Sequence, residues 1–538
     1  MDRNVLSSRA KLPEADATNE AGGTAYSLPA EQALAIFAMT GNLHGATYYS
    51  TVESVLAQVK ELAAKVDDEY LAKLAVYSWE SGFMKDMSAF LTALLTARGG
   101  GLSLFKRVFP RTITTGKQFS TFFQIMRSGA AGRKSLGSGP KVAMRNWLSR
   151  RTPLGILKAS VGVTPSFRDI IRALHVKPAT VGQEAIFGYL SGSKKLDEAR
   201  KELLPDELKQ LFAFRANPDA PCPRLPFQLL TSQNLTEAHW KQIAASASWQ
   251  TTRMNLATFM RHNVFSDPVL TGQIAARLRN PAEIARSRVF PYQLLIAYKT
   301  VGDSVPRPIR DSLQDAIDLS FSNLPEFPGR VMVFVDTSGS MACPVTGTSA
   351  THSSAVQCRD VAAIFAAGIL RKAEDATVWA FSDLTCDPKL NPRDSVATNA
   401  AKLALMPSGG TDCSSPMRLA IAQGLKADLV IYLSDNESWM DHNKGRSTQT
   451  MESWSKFKRY NPSAKLVCID LAASRTAQTK DSADIMNIGG FSDRIFKTIH
   501  EFTSGKQGPD FWVAEIRKVN LDVGYVTGST SLEASTPE

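Results

Sequence analysis

The pattern of apolar and polar positions changes once along the chain, near residue 325. Before that point apolar residues recur every three or four positions, as Val55, Val59 and Leu62 do within 51–65. This spacing is typical of amphipathic helices, which bury one face. Residues 28–325 are therefore predicted to be helical almost throughout. Further segments with the same spacing lie at 70–82, 87–100, 237–247, 255–265 and 289–300.

Helices in long succession, with few strand patterns between them, favour one architecture. A single pair of helices cannot bury its apolar face alone, so such chains stack pairs into an α-solenoid. At roughly 40 residues per pair of the HEAT type, this segment would hold about seven pairs. The prediction is an all-α, HEAT-like superhelical region over 28–325.

Short continuous apolar runs replace the helical pattern after the proline-bearing linker 324–330. Runs of this length are typical of strands that are buried on both faces of a parallel sheet. Helical patterns at 360–373 and 416–425 alternate with them. The alternation predicts a doubly wound α/β domain over 329–506. The predicted strands lie at 331–335, 377–382, 428–435 and 465–472.

The two ends of the chain show neither pattern. Residues 1–27 are predicted to be flexible, and the last part of 507–538 is predicted to be disordered because it has little apolar surface to bury. The start has no apolar run of the kind that secretion signals carry, and no stretch approaches the roughly 20 apolar residues of a membrane span. We therefore expect a cytoplasmic protein that does not insert into a membrane.

The six cysteines are scattered and form no C-x-x-C pair. This spacing argues against a disulfide framework and against a zinc ribbon.

The net charge of +11 is concentrated in one stretch. Sixteen lysines and arginines lie from Arg98 to Lys177, and Asp169 is the only acid among them, so this stretch carries +15. Solubilising surfaces usually intersperse both signs, whereas one-sided charge is typical of surfaces that bind polyanions. The stretch therefore predicts binding of a polyanion such as a nucleic acid.

Hydroxyl and carboxylate side chains collect at the predicted carboxyl ends of the strands. Asp336, Ser338 and Ser340 follow the first strand, Thr411 lies in a later loop, and Asp435 ends the strand at 428–435. Ligands of doubly wound sheets bind beyond this edge. Hard oxygen ligands of this kind suit Mg²⁺ with waters completing an octahedron, with Mn²⁺ and Ca²⁺ as alternatives.

Three other interpretations of this motif lack a necessary residue. A serine nucleophile needs a base, and His352 and His442 do not lie at the strand ends. A phosphate-binding loop needs a lysine after its last glycine, and none follows Gly339. An aspartyl-phosphate enzyme would need a second acid where Ser338 stands. Simple capping of a strand end would explain Asp336 alone but not the matched positions in the other loops.

The D-x-S-x-S motif at 336–340, with the distant Thr411 and Asp435, resembles the metal-ion-dependent adhesion site of von Willebrand factor A domains. The resemblance implies that Asp336, Ser338, Ser340, Thr411 and Asp435 coordinate the metal. It also implies that a carboxylate of a partner or ligand completes the coordination, and that the site mediates binding rather than turnover.

A helical region followed by a type A domain is similar to the Ro autoantigen, or TROVE-domain, family, in which a type A domain closes a ring of HEAT-like helices. The resemblance spans about 28–516, and besides the metal-site loops it is carried by 132–148, 164–178, 286–297 and 487–494. It implies a monomeric RNA-binding scaffold within a ribonucleoprotein, not an enzyme.

The RNA ligands that this resemblance implies are of two kinds. Small noncoding Y RNA would bind a basic outer surface, and single-stranded ends of misfolded or immature structured RNAs would enter the central hole. Such a scaffold would serve RNA quality control, and a 3′ exoribonuclease would be a fitting partner for the RNA ends it presents.

The candidate RNA contacts are cations at helical spacing. Arg168, Arg172 and His175 fall on one helix face, and Lys141 and Arg145 lie one turn apart on a helix predicted to begin at Pro140. Such rows contact phosphates and do not read bases. The full set of candidates is Lys117, Arg127, Arg133, Lys134, Lys141, Arg145, Arg168, Arg172, His175 and Lys177.

Two features of this region have a structural alternative. His175 would also suit the C-terminal cap of a helix, where a cation meets the helix dipole. The aromatic residues Phe119, Phe122, Phe123 and Trp147 would stack on bases in one interpretation, but their helical spacing favours core packing.

Two other classes of function remain as alternatives. Type A domains also occur in accessory subunits of metal chelatases and ATPase complexes, although that role does not explain the basic stretch. A magnesium-dependent phosphohydrolase would need a second carboxylate and a general base, which the motif lacks.

Overall fold

The structure, a computed structural model, divides the chain into two units. The α/β unit comprises Met1–Val66, Phe290–Ile296 and Ser320–Lys518. The helical unit comprises Asp67–Val289, Ala297–Leu319 and Val519–Glu538. The structure describes residues 12–41, 43, 51–133, 135–192, 198–217, 219–223, 225, 227–231, 233–287, 289–321, 324–327, 329–345, 356–439, 447–492, 494–505 and 510–522.

Many helices begin at a polar residue whose side-chain oxygen accepts a backbone N–H of the first turn, as Thr51, Asp67, Thr115 and Ser166 do. These N–H groups have no partner within the helix, so each cap stabilises the start of its helix by about 1 kcal/mol. The α-helices are α1 (Ala30–Thr40), α2 (Val52–Ala64), α3 (Asp68–Glu80), α4 (Lys85–Leu95), α5 (Gly101–Thr112), α6 (Gly116–Ser128), α7 (Ser138–Ser149), α8 (Pro153–Ser160), α9 (Phe167–Leu174), α10 (Val181–Leu190), α11 (Glu198–Glu202), α12 (Asp206–Ala216), α13 (Phe227–Leu230), α14 (Glu237–Ser246), α15 (Trp249–Arg261), α16 (Pro268–Leu278), α17 (Pro281–Ser287), α18 (Pro291–Val301), α19 (Arg307–Ser320), α20 (Cys358–Lys372), α21 (Val396–Ala404), α22 (Ser415–Ala422), α23 (Gln449–Lys458), α24 (Arg494–Thr503) and α25 (Phe511–Arg517). Short 3₁₀ helices span Val264–Ser266 and Gly339–Ala342.

In the helical unit helices pack mainly on helices close to them in sequence, as α3 does on α4 and α5, and α6 on α4. Local packing of this kind is typical of stacked helix repeats. The core between the helices is aromatic: Phe119 stacks on Trp147 with ring centroids 4.2 Å apart, and its centroid lies 5.6 Å from that of Phe167. Phe119, Phe122, Phe123 and Trp147 are all buried, so the prediction that they pack in the core is confirmed.

The α/β unit contains a six-stranded sheet and a small three-stranded sheet. The strands are β1 (Ala17–Thr18), β2 (Thr24–Ser27), β3 (Arg330–Asp336), β4 (Asp375–Phe381), β5 (Thr385–Cys386), β6 (Leu429–Ser434), β7 (Lys465–Asp470), β8 (Thr476–Ala477) and β9 (Ile485–Gly489). The main sheet has the order β5-β4-β3-β6-β7-β9 and is parallel except for the edge strand β5. The small sheet has the order β1-β2-β8 and is antiparallel.

Both faces of the main sheet are covered. Phe334 and Tyr432 belong to a buried cluster with Met417 of α22 and Trp454 of α23. The residues that alternate with them along the strands, such as Val333, are also fully buried. Because successive side chains of a strand point to opposite faces, the sheet is buried on both sides.

The predicted fold class, an all-α repeat region followed by a doubly wound α/β domain, is confirmed. The four predicted strands correspond to β3, β4, β6 and β7. No helix in the described part of the chain is both long and apolar enough to span a membrane.

The division of the chain differs from the predicted domain boundaries. Residues 17–27 lie in the segment predicted to be flexible, yet they form β1 and β2, and β2 pairs with β8. Helices α1 and α2 belong to the α/β unit, as does α25 in the segment after 506. The pairing partner of the N-terminal strands lies about 450 residues away, so a local pattern does not reveal it. The predicted disorder of the final residues concerns a segment outside the described residues.

Candidate functional site

The carboxyl ends of β3 and β6 lie side by side because the two strands pair in parallel. Asp336 is the last residue of β3, and Asp435 directly follows β6. The Ser434 hydroxyl donates a hydrogen bond to Asp336 Oδ2 at 2.5 Å, which ties the two strand ends together. The topology of the sheet therefore brings the two candidate carboxylates to one place.

The loop after β3 adds two hydroxyl groups to these carboxylates. The Ser338 N–H donates to Asp336 Oδ1 at 2.8 Å, and the hydroxyl oxygens of Ser338 and Ser340 lie 3.2 Å apart. The Ser340 side chain also hydrogen-bonds the Asp435 carboxylate. All four side chains are buried.

Thr411 reaches the same edge on a loop that is held from both sides. The Gly339 N–H donates to the Gly409 carbonyl oxygen at 3.1 Å. On the other side, the Ser438 hydroxyl donates to the Thr411 carbonyl oxygen at 3.2 Å. The structure thus places Thr411 and the other four predicted metal ligands on adjoining loops of one sheet edge.

The two predicted carboxylate ligands, Asp336 and Asp435, are both buried. Asp336 is 0% exposed and Asp435 is 3% exposed. Burial raises the pKa of Asp336 to about 7, and the neighbouring Asp435 carboxylate adds to this shift. Burial likewise raises the pKa of Asp435. No lysine or arginine of the described residues is among the main causes of either pKa shift, and a bound cation would offset the unfavourable burial.

The donor atoms fit a hard divalent cation. Carboxylate and hydroxyl oxygens are the groups that Mg²⁺ prefers, and Mg²⁺ usually keeps several of its waters. Among the described residues, no group of three or more His, Cys, Asp or Glu side chains is arranged to hold a metal, and the candidate site itself combines two carboxylates with hydroxyl groups. The two histidines weighed as a base for a serine nucleophile, His352 and His442, lie outside the described residues.

The sequence motif does not show the side chains that hold the site in place. Ser434 and Ser438 link its loops, as described above. Glu437 is 3% exposed, and burial raises its pKa to about 7. The one signal for them in the sequence is that the polar run 434–438 directly follows a fully apolar strand.

The exposed lysines and arginines among the candidate RNA contacts lie on α6 and α9 and just after α9. Lys117, Arg127, Arg168, Arg172 and Lys177 are all exposed. None of these five side chains forms an ion pair within the part of the chain that the structure describes. We call these five residues the free cation set because they lack an acidic partner among the described residues; Arg172 Nη2 does donate to the Ser191 carbonyl oxygen at 3.2 Å.

Two other candidates are engaged with the backbone. Arg133 Nη1 donates to the Thr96 carbonyl oxygen at 2.6 Å, and Arg145 Nε donates to the Leu174 carbonyl oxygen at 2.8 Å. Thr96 and Leu174 lie at the C-terminal ends of α4 and α9, where carbonyl groups lack partners within the helix. Arg145 therefore links α7 to the end of α9, and Arg133 links the loop between α6 and α7 to the end of α4.

The remaining three candidates differ in their placement. His175 is the left-handed C-terminal cap of α9, with φ of 48°, so the capping alternative is confirmed, and its side chain is exposed. Lys141 is partly buried on α7, a helix that begins at Ser138 rather than at the predicted Pro140. Lys134 lies outside the described residues.

Fold and site together define a class of protein: a von Willebrand factor A-like α/β domain in one chain with stacked helices. Residues 330–503 match the family model described as the Ro60 vWA domain. The solved structure of the Deinococcus radiodurans Ro (RSR) protein shares the fold, with a TM-score of 0.59 at 20% sequence identity, covering 89% of this chain and 100% of that chain.

Two curated relatives extend the match. RNA-binding protein RO60 of Deinococcus radiodurans is 23% identical over 538 residues, which cover 92% of this chain and 97% of the relative. RNA-binding protein RO60 of Caenorhabditis elegans is 27% identical over 255 residues, which cover 43% of this chain and 36% of the relative. The family model and the relatives confirm the resemblance to the Ro, or TROVE-domain, family that was inferred from the motifs of the chain.

Proposed function

We propose that this chain binds RNA through the basic surface of its helical unit and serves as a scaffold rather than as an enzyme. The observation that carries the proposal is the free cation set, five exposed basic side chains without an acidic partner among the described residues. The names of the two relatives, both RNA-binding proteins, support it. The alternative of an accessory subunit in a chelatase or ATPase complex does not account for this surface.

The arrangement of α9 favours phosphate contact over base recognition. Arg168 and Arg172 lie one turn apart and are exposed, while Phe167, Ile170 and Ile171 of the same helix are buried. Adjacent guanidinium groups on a rigid helix suit successive phosphates of a backbone. Such contacts position RNA without reading its sequence.

The RNA classes that we propose follow from the family resemblance and from this charge pattern. Small noncoding Y RNA presents a dense row of phosphates and would bind the basic surface. Misfolded or precursor structured RNAs would present single-stranded ends to the central hole that the resemblance implies. A 3′ exoribonuclease would then act on those ends, in the cytoplasm, on a complex of RNA with one copy of the chain.

The proposal is tested by recovering RNA from cells that express tagged variants. In the reversal variant, Lys117, Arg168, Arg172 and Lys177 are each changed to glutamate, and Arg145 is left intact because it supports α9. The control variant makes the same change of net charge at exposed positions of the α/β unit, namely Arg393, Lys456, Lys480 and Lys497.

The wild-type and control proteins are expected to copurify small structured RNAs, and the reversal variant is expected to lose them. Sequencing of the bound RNA identifies the class. Equal recovery of the same RNAs by the reversal variant would show that this surface is not the RNA-binding surface.

We also propose that the five residues at the sheet edge, Asp336, Ser338, Ser340, Thr411 and Asp435, hold a divalent cation, preferably Mg²⁺. The observation that supports this is the burial of two adjoining carboxylates without a cationic side chain among the described residues. When bound, the cation would offer an open coordination position to a carboxylate of a partner. The site would then serve binding rather than turnover.

A further inference from the structure

The turn that joins β1 to β2 lies against the loop that supplies Asp435. Asn19 is only 5% exposed, and its Nδ2 donates a hydrogen bond to the Ser438 carbonyl oxygen at 2.8 Å. Its Oδ1 accepts the Gly23 N–H at 2.7 Å, which closes the turn. One side chain therefore both shapes the N-terminal turn and fixes it to the metal-site loop.

A second set of contacts anchors the same turn to the same loop. The N–H groups of Glu20 and Ala21 donate to Glu437 Oε2 at 2.9 Å and 3.4 Å. The other oxygen, Oε1, accepts the Ser474 hydroxyl at 3.0 Å. Glu437 stands two positions after Asp435, so these bonds restrain the backbone next to that carboxylate.

The fit between turn and loop leaves no room for a side chain at Gly23. A Cβ atom there would lie 1.9 Å from the Ser438 carbonyl oxygen, far inside van der Waals contact. The close approach therefore requires glycine at this position.

Ser438 connects the turn to a second metal-site loop. Its carbonyl oxygen accepts from Asn19, while its hydroxyl donates to the Thr411 carbonyl oxygen at 3.2 Å. The turn is thus linked by hydrogen bonds to the segments that carry Asp435 and Thr411. These contacts are fully buried, where a hydrogen bond is strong and a missing partner is costly.

We propose that the N-terminal turn, Asn19–Gly23, is a positioning element of the metal site, and that Asn19 and Glu437 are its positioning residues. The inference rests on the proposed cation site. Substitution of a residue that orients metal ligands through hydrogen bonds typically changes the metal affinity by about tenfold or more. Because coupling between two sites is reciprocal, cation binding should also strengthen the docking of the turn.

The first test measures Mg²⁺ affinity of the full chain by calorimetry, for the wild type, Asn19→Ala and Asp16→Ala. Asp16 is the matched control because it accepts the Ser27 N–H and hydroxyl, both at 2.7 Å, within the same hairpin and away from the metal loops. We expect Asn19→Ala to weaken Mg²⁺ binding about tenfold and Asp16→Ala to change it less than about twofold. Equal Mg²⁺ affinities of the two variants would overturn the proposal, because they would show that the Asn19 contacts have no specific effect on metal binding.

The second test uses the wild-type chain, so it does not depend on the folding of a variant. Hydrogen exchange of the Glu20 and Ala21 amides is followed with and without Mg²⁺. We expect Mg²⁺ to slow exchange at these amides about tenfold, in proportion to the coupling. If the chain binds Mg²⁺ but the exchange rates of these amides do not change, the proposed coupling between the turn and the metal site is wrong. If the wild-type chain binds no divalent cation, both the proposed metal site and this inference are wrong.

Discussion

At the scale of single residues, Asp336 is the side chain whose placement needs most explanation. A fully buried carboxylate beside a second one is unfavourable unless a cation is present, and no cationic side chain in the described part of the chain supplies the charge. The hydrogen bonds that Asp336 accepts from Ser338 and Ser434 offset only part of this cost. The burial of Asp336 therefore supports the proposal that the site binds a cation.

Asp336→Ala should abolish Mg²⁺ binding and leave RNA binding intact. At a Mg²⁺ concentration of about 100 times Kd, the wild type should gain about 2.7 kcal/mol of stability, seen as a rise in Tm, and the variant none. RNA affinity should stay within about threefold, because the candidate RNA contacts lie in the other unit.

The matched control for this variant is Asp394→Ala. Asp394 is an acid of the same unit that pairs with Lys402 and lies away from the predicted ligands. It should keep the full response of Tm to Mg²⁺. A response of Tm in Asp336→Ala as large as in the wild type would show that the cation binds elsewhere.

The position of four of the five predicted metal ligands at one sheet edge could be anticipated from the sequence, because these four follow β3 or β6; Thr411 lies in the loop between α21 and α22. Asp336, Thr411 and Asp435 are distant in sequence, but parallel pairing of β3 and β6 brings strand ends together by rule. The roles of Arg133 and Arg145 could not be predicted, because their acceptors are backbone carbonyls of other helices. Nothing in a local pattern distinguishes an arginine that caps a neighbouring helix from one that faces solvent.

At the scale of secondary-structure elements, α9 is supported at its C-terminal end and carries two of the proposed RNA contacts on its exposed face. Its C-terminal end is held by Arg145 of α7, while Arg168 projects from its exposed face without an ion pair among the described residues. The two arginines carry the same charge, but Arg145 hydrogen-bonds a backbone carbonyl and Arg168 is exposed. Their substitutions should therefore have opposite patterns of effect.

Arg145→Ala should lower the free energy of unfolding by about 1–2 kcal/mol, because a hydrogen bond from a charged group to an otherwise unpaired helix-end carbonyl is lost. Arg168→Ala should change stability by less than about 0.5 kcal/mol but weaken RNA binding several-fold. Thermal unfolding and RNA titration of both variants check this pattern. The opposite pattern, with Arg168→Ala destabilising and Arg145→Ala stable but defective in RNA binding, would contradict the assigned roles.

Long elements with continuous patterns were predictable, and short elements that form through distant pairing were not. The runs that became β3, β4, β6 and β7 are apolar throughout, so burial on both faces marks them in the sequence. The strands β1, β2 and β8 have two to four residues and gain their stability from one another across the length of the chain. The N-terminal turn, which we propose to position the metal site, belongs to this second group.

At the scale of the whole molecule, charge separates the proposed functions. The stretch from Arg98 to Lys177 carries +15 in a chain whose total is +11, so the rest of the chain is slightly acidic. RNA should therefore favour the helical unit, and the proposed metal site would be offered to a partner by the α/β unit. The two binding functions should be separable by mutation.

The most direct test of RNA binding by the free cation set is the salt dependence of affinity for a hairpin RNA with a single-stranded 3′ tail. Kd is measured between about 50 mM and about 200 mM salt for the wild type, the reversal variant and the control variant. The wild type and the control should show the same steep dependence of log Kd on log salt. The reversal variant should bind at least about 100-fold more weakly at the lowest salt, with a slope smaller by about three. An unchanged slope and affinity in the reversal variant would contradict the assignment of RNA binding to these residues.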